Sequence, residues 1–237
     1  RREGTRIEVD SDRLSCAIDT RTGLPVSLSS EGRELLQRPV ELNIWRAPTD
    51  NDRHARLEWE RAHYHQAVAR AYVDEEPGCV TISADVGLVA PSVQPALHGR
   101  LVWTLTDDGV LSLSLRLRRT LGFPSLPRLG LRLFLPESMN QVDYYGLGPQ
   151  ESYIDKHRAS YHGAFSADVV DLHEDYIRPQ ENGSHADCNE VVLSGGGLSL
   201  AAVGPTPFSF NASRYTQEEL AARRRNTDLT PSGSTVL

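Results

Sequence analysis

Apolar and polar residues alternate along most of the chain. The clearest case is Gly99–Arg118, where "RLVWTLT" and "VLSLSLRLRR" flank Asp107-Asp108-Gly109. A period of two puts one face in a core and the other in water, and Asp-Gly supplies the positive φ of a tight hairpin. The same pattern predicts strands at Thr5–Val9, Leu14–Ile18, Cys79–Val89, Leu129–Leu135, Gln141–Tyr145, Cys188–Leu193, Leu198–Val203 and Phe208–Ala212. "DTRTG" (Asp19–Gly23) reads as a turn, as does Gly195-Gly196-Gly197. Two stretches read as helices. Asp50-Asn51-Asp52 offers capping side chains to "RHARLEWERAHYHQ", and Ser213 or Thr216 caps "QEELAARRR", whose acids precede its bases as the helix dipole favours. The final residues, "NTDLTPSGSTVL", lose all periodicity and predict a disordered or shortened tail without a closing strand.

Many strands, Gly/Pro turns and little helix predict an all-β fold of stacked antiparallel sheets, read as one large β-sandwich over residues 1–237. A net charge of −7 gives no electrostatic footprint for nucleic acid or an anionic membrane. Arg223-Arg224-Arg225 is too short a basic run to change that. No apolar run is long enough to span a bilayer as a helix. Opening on "RREGTRIEVD", without methionine or an apolar signal segment, the chain reads as a piece of something larger. Cys16, Cys79 and Cys188 are odd in number, widely spaced and in no CxxC pattern, which predicts a reducing, cytoplasmic setting.

"YYGLGPQESYIDKHRA" (Tyr144–Ala159) carries the most chemistry, and its Pro-Gln-Glu recurs in "YIRPQENGSHADC". Gly146-Leu147-Gly148 starts like a phosphate loop, but Pro149 removes an amide that a phosphate cradle needs. Glu151 stands beside Tyr153, and Glu181 beside Arg178 and Asn182. Such a carboxylate pair suits glycoside hydrolysis if it lies roughly 5–10 Å apart. The competing and favoured reading makes both acids turn residues that accept backbone amides or pair with Arg158 and Arg178. "TDND" (Thr49–Asp52) lacks the glycine and distal glutamate of a calcium loop and reads as a helix cap. His63 and His65 have no partners at zinc spacing, and His54, His98, His157, His162, His173 and His185 read as dispersed surface residues. No GxSxG elbow occurs, and Cys188 has no base beside it in sequence. Trp103 reads as core and Trp59 as a helix–sheet contact. Trp45, before the polar turn "RAPTDND", reads as core over a sugar-stacking surface.

"NIWRAPTDND" (Asn43–Asp52), "YYGLGPQESYIDKHRA", "YIRPQENGSHAD" (Tyr176–Asp187) and "FSFNASRYTQEEL" (Phe208–Leu220) occur in this order. Together they resemble the C-terminal domain of the large bacterial β-galactosidases of glycoside hydrolase family 2, the Escherichia coli lactose-cleaving type. The resemblance runs from about Ile7 to Leu229. It implies a galactose mutarotase-like supersandwich that is itself non-catalytic, docks on a catalytic (β/α)₈ barrel and shapes the rim of a galactoside site. The catalytic glutamates would lie in that barrel, as would the Mg2+ and Na+ the family commonly uses, leaving no cofactor here. The parent would hydrolyse terminal β-D-galactosides through a covalent glycosyl intermediate and form a homo-oligomer. Trp45, Arg46, Asp50, Asn51, Asp52, Gly148, Gln150, Glu151, Tyr153, Arg178, Glu181 and Asn182 become the candidate rim or interdomain contacts. Two features depart from the family: Ser152 replaces an asparagine, and a Gly/Asp-rich loop with a tryptophan is missing near the end.

The rival readings are an aldose 1-epimerase and a carbohydrate-binding module. The epimerase needs Glu151 or Glu181 as base and His157, His173 or His185 as acid. The binding module needs an aromatic platform, for which 7% aromatics is meagre.

Overall fold

The computed structural model describes residues 1–52, 54–57, 65–89 and 96–237. The helix expected after Asp52 lies largely outside the described residues, as do Trp59 and His63. Asp50–Asp52 itself forms a single 3-10 turn. The regular structure of the described chain is almost entirely strand and pairs antiparallel, as the alternation predicts. It divides into two compact units, 1–45 with 52–131 and 46–51 with 132–237.

The first unit holds a five-stranded sheet in sequence order: β1 (Arg2–Glu3), β2 (Arg6–Asp10), β3 (Leu14–Asp19), β4 (Leu24–Ser30) and β5 (Arg33–Glu34). After β6 (Arg38–Asn43) comes a four-stranded meander of β7 (His65–Glu76), β8 (Cys79–Val89), β9 (Leu97–Thr106) and β10 (Leu111–Arg119). The predicted hairpin is β9–β10, with Leu105 opposite Leu111 and Gly109 at φ +86°. Leu101, Trp103 and Leu105 are buried on one face of β9, and the Trp103 indole donates to the Gly23 carbonyl at 2.8 Å, joining the two sheets. Ile44, Leu88 and Leu97 form a further apolar cluster against Leu42, Leu117 and Leu126.

In the second unit, β12 (Gln141–Gly148), β13 (Tyr161–Asp168), β14 (Ser184–Gly195) and β15 (Leu198–Asn211) form a sheet in the order β13-β12-β14-β15. The two strands expected at 198–203 and 208–212 are one strand. Pro205 and Pro207 lie within it, as an edge strand allows because its outward amides need no partner. The tail is likewise ordered: β16 (Ser234–Val236) pairs with β11 (Gly130–Pro136), Val236 opposite Phe134. Three residues are too few to show a period, and two of them, Ser234 and Thr235, are buried polar groups. Thr235 Oγ1 donates to the Met139 carbonyl at 2.8 Å.

The terminal helix, α1 (Gln217–Ala222), is capped by Thr216, whose Oγ1 accepts from the Glu219 amide at 3.2 Å. It stops before Arg223, so the basic run lies outside it, against expectation. Beyond the helix end, Glu219 binds the Arg223 guanidinium at 2.7 Å and the Thr230 amide at 2.9 Å.

Candidate functional site

Both Pro-Gln-Glu loops belong to the second unit and converge there. Gly146 and Gly148 lie in extended β12, neither at positive φ. Their small size serves close approach: a Cβ on Gly146 would sit 2.2 Å from Cys188 Sγ. Under the strand, Tyr144, His185 and Phe210 pack with ring centroids 4.6–5.3 Å apart. His185 is thus a core residue, contrary to the surface reading. Burial holds its imidazole below the ordinary pKa, with Nδ1 3.2 Å from the Leu147 carbonyl. A bulge between His185 and Cys188, with Asp187 at φ +54°, interrupts the regular register of β14 just after it.

The corner proper begins at Pro149. Ser152 is fully buried and knots it: its amide donates to the Ser184 carbonyl at 2.6 Å and its Oγ accepts from the Ala186 amide at 2.8 Å. Serine at this position therefore has its own structural work. Tyr153 and Lys156 bridge each other, which leaves Ile154 and Asp155 at the tip of a tight turn.

Glu151 joins this loop to the other. Its carboxylate is buried; Oε1 accepts from Lys156 Nζ and from the Tyr176 hydroxyl, and Oε2 accepts from the Gly183 amide at 2.8 Å. Lys156 Nζ also donates to the Tyr176 oxygen at 2.9 Å. The expected partners, Arg158 and Arg178, are replaced by a lysine and a tyrosine. A lysine five positions on reaches back across the tight turn, whereas Arg158 and Arg178 are both exposed. Burial would push the Glu151 carboxyl up, but the ammonium, the hydroxyl and the amide outweigh it and hold the group below the usual carboxylate range. The same contact pushes Lys156 well above its ordinary value. Gly183 is fixed by its surroundings, since at φ +71° a Cβ would stand 2.4 Å from the Leu172 carbonyl. Asn182 secures the loop by accepting from the Glu174 amide at 3.1 Å and donating to the Gln180 carbonyl at 3.0 Å.

These contacts wall a polar cleft of about 330 Å³. Arg46, Asp50, Asn51, Glu151, Tyr153 and Glu181 all line it, so half of the candidate residues come together. Glu181 is buried, and its amide donates to the Ala47 carbonyl at 3.1 Å, which ties the 46–51 segment to the second loop. Gln150 lines an adjoining cleft of about 230 Å³ that shares Glu151, Lys156 and Tyr176. Gly148 ends β12, Arg178 is exposed, and Trp45 and Asp52 belong to the other unit. Trp45 is half-buried. Lys156 and Tyr176 were missed by sequence reasoning, because the Glu151 contact that unites them closes only in three dimensions.

Chemically Glu151 is unlike the acid of a hydrolytic pair. An acid catalyst at neutral pH needs a raised pKa, whereas both Glu151 oxygens accept hydrogen bonds and its charge is stabilised. The histidines considered for an epimerase have partners of their own or lie buried. His157 Nδ1 lies 3.1 Å from the Tyr153 carbonyl, His173 Nε2 is 3.3 Å from Asn226 Oδ1, and His185 is in the core. Among the described residues no group of three His, Cys, Asp or Glu is placed to hold a metal ion.

Comparison with known proteins gives a consistent result. The family described as beta galactosidase small chain matches residues 10–237. A beta-galactosidase of Actinobacillus pleuropneumoniae is 37% identical over 98% of this chain and 23% of its own length. One of Staphylococcus xylosus is 36% identical over 82% of this chain and 20% of its own. The chain thus spans about a fifth of the length of the curated relatives it matches. A crystal structure of a galactose mutarotase-like protein from Lactobacillus casei ATCC 334 aligns over 98% of this chain and 95% of its own, with 12% identity and a TM-score of 0.45, a level that adds nothing to the assignment.

Proposed function

Since the chain belongs to the beta galactosidase small chain family, we propose that it is the non-catalytic C-terminal domain of an enzyme that hydrolyses terminal β-D-galactosides such as lactose. The observation that carries this reading is its span of only 20–23% of relatives named beta-galactosidase. The bulk of such an enzyme, with its barrel, catalytic glutamates, Mg2+ and Na+, would then lie elsewhere. In this account the domain docks on the barrel and its polar cleft helps shape the rim around the galactoside. The tied-up Glu151 supports a positioning role, because its bonds to Lys156, Tyr176 and Gly183 stabilise the ionised carboxylate and leave it no proton to give. The parent is assigned to the cytoplasm as a homo-oligomer. No described helix is long and apolar enough to cross a membrane.

Substitution in the full-length parent tests the assignment. Glu151→Gln and Glu181→Gln each leave galactoside hydrolysis within about tenfold of wild type, because they touch positioning and not bond cleavage. Loss on the order of a thousandfold or more in either variant, as removal of a catalytic group produces, would place the chemistry in this domain.

A further inference from the structure

Two isoleucines stand almost bare beside the cleft. Ile154 is 94% exposed at the tip of the Tyr153–Lys156 turn, and Ile177 is 91% exposed directly after Tyr176. Single exposed apolar residues are common, but these two sit on loops that are held rigidly for no apparent gain of their own. The Glu151 carboxylate binds Lys156 from one loop and Tyr176 from the other, and Lys156 Nζ to Tyr176 oxygen closes the triangle at 2.9 Å. The backbone of Ile177 is fixed as well, its carbonyl accepting from the Asn226 amide at 3.2 Å. Ordering both loops sacrifices chain entropy, yet it buries neither isoleucine.

We infer that Ile154 and Ile177 are paired hydrophobic anchors that seat this domain in apolar pockets on the catalytic part of its own parent chain, with the polar cleft forming the rim of that contact. The inference rests on the proposed function. Relatives four to five times as long as the matched segment supply an occupant in the same chain, so no separate partner is required. The chemistry fits an interface: apolar side chains at the centre, with arginine, tyrosine and paired charges around them. Arg46, Asp50, Tyr153 and Glu181, which line the cleft, provide such a rim. Glu151 then acts as the pin that presents both anchors at one fixed spacing, which lowers the entropy lost on docking.

Hydroxyl-radical footprinting of the full-length parent, read by mass spectrometry at Ile154 and Ile177, tests this without any variant. Both side chains are expected to be modified roughly tenfold more slowly in the native enzyme than in the urea-unfolded enzyme, at every protein concentration, as solvent exclusion from an interface core requires. Modification at the unfolded rate would overturn the inference, and protection that fades on dilution would assign the anchors to a second copy instead. In the same parent, Ile154→Asp and Ile177→Asp should lower the melting temperature and Ile154→Val should not. Identical melting for all three would also overturn it. Failure here leaves the assignment of catalysis untouched, since that rests on the Glu151→Gln and Glu181→Gln rates.

Discussion

Replacing Glu151 probes the junction of the two loops. The carboxylate serves three donors, two of which, the Tyr176 hydroxyl and the Gly183 amide, are left without an acceptor by Glu151→Ala. A hydrogen bond to a charged group contributes about 1.5–3 kcal/mol, and a stranded buried donor costs about 1–3 kcal/mol. The Lys156 side chain is 59% exposed, so its ion pair adds at most about 1 kcal/mol. Glu151→Ala should therefore destabilise the second unit by about 3–5 kcal/mol. Glu151→Gln keeps one acceptor for the Gly183 amide and should cost about 1–2 kcal/mol. Lys156→Met should cost less still. The pH dependence has a definite sign. The folded carboxyl is held below its unfolded value, so the stabilisation is full above about pH 4.3, the ordinary glutamate range, and fades as pH falls through the folded value. Hydrogen exchange at the Gly183 amide, together with urea unfolding of the chain, measures both effects. A cost below about 1 kcal/mol for Glu151→Ala, or a larger cost for Glu151→Gln than for Glu151→Ala, would rule out this role for the carboxylate.

Other substitutions test the frame around the site. Gly183→Ala must bring a Cβ to 2.4 Å from the Leu172 carbonyl at φ +71°, and urea unfolding should report a loss of at least about 2 kcal/mol. Trp103→Phe removes the 2.8 Å bond to Gly23 and should cost about 1–2 kcal/mol in the first unit. Thr216→Ala removes the cap of α1 and should cost about 1 kcal/mol, readable as faster amide exchange in Gln217–Ala222. Burial pushes the Cys16 and Cys188 thiols up to about 12, so a maleimide at neutral pH should label half-buried Cys79 first.

The legible parts of this fold were those with long, regular alternation. Leu111–Arg119 could be read directly, because a half-buried strand must repeat every two residues. Tyr161–Asp168 went unread: its exposed positions carry tyrosine, histidine and alanine, which blur the contrast between faces. Ser234–Val236 is held by pairing and by buried hydroxyls, so no apolar signal announces it. At the site, the two Pro-Gln-Glu repeats pointed to the right loops. The residues that bind them together were not legible, since Lys156 and Tyr176 meet Glu151 across 5 and 25 positions with no shared period.

Under the proposed function the bond-breaking carboxylates reside outside these residues. The direct measurement is release of chromophore from a β-galactoside by the purified 237-residue chain, shown to be folded by its β-sheet circular dichroism, beside the full-length parent. Release is expected from the parent, and none above a protein-free blank from the chain. Turnover by the folded chain would contradict the proposed function.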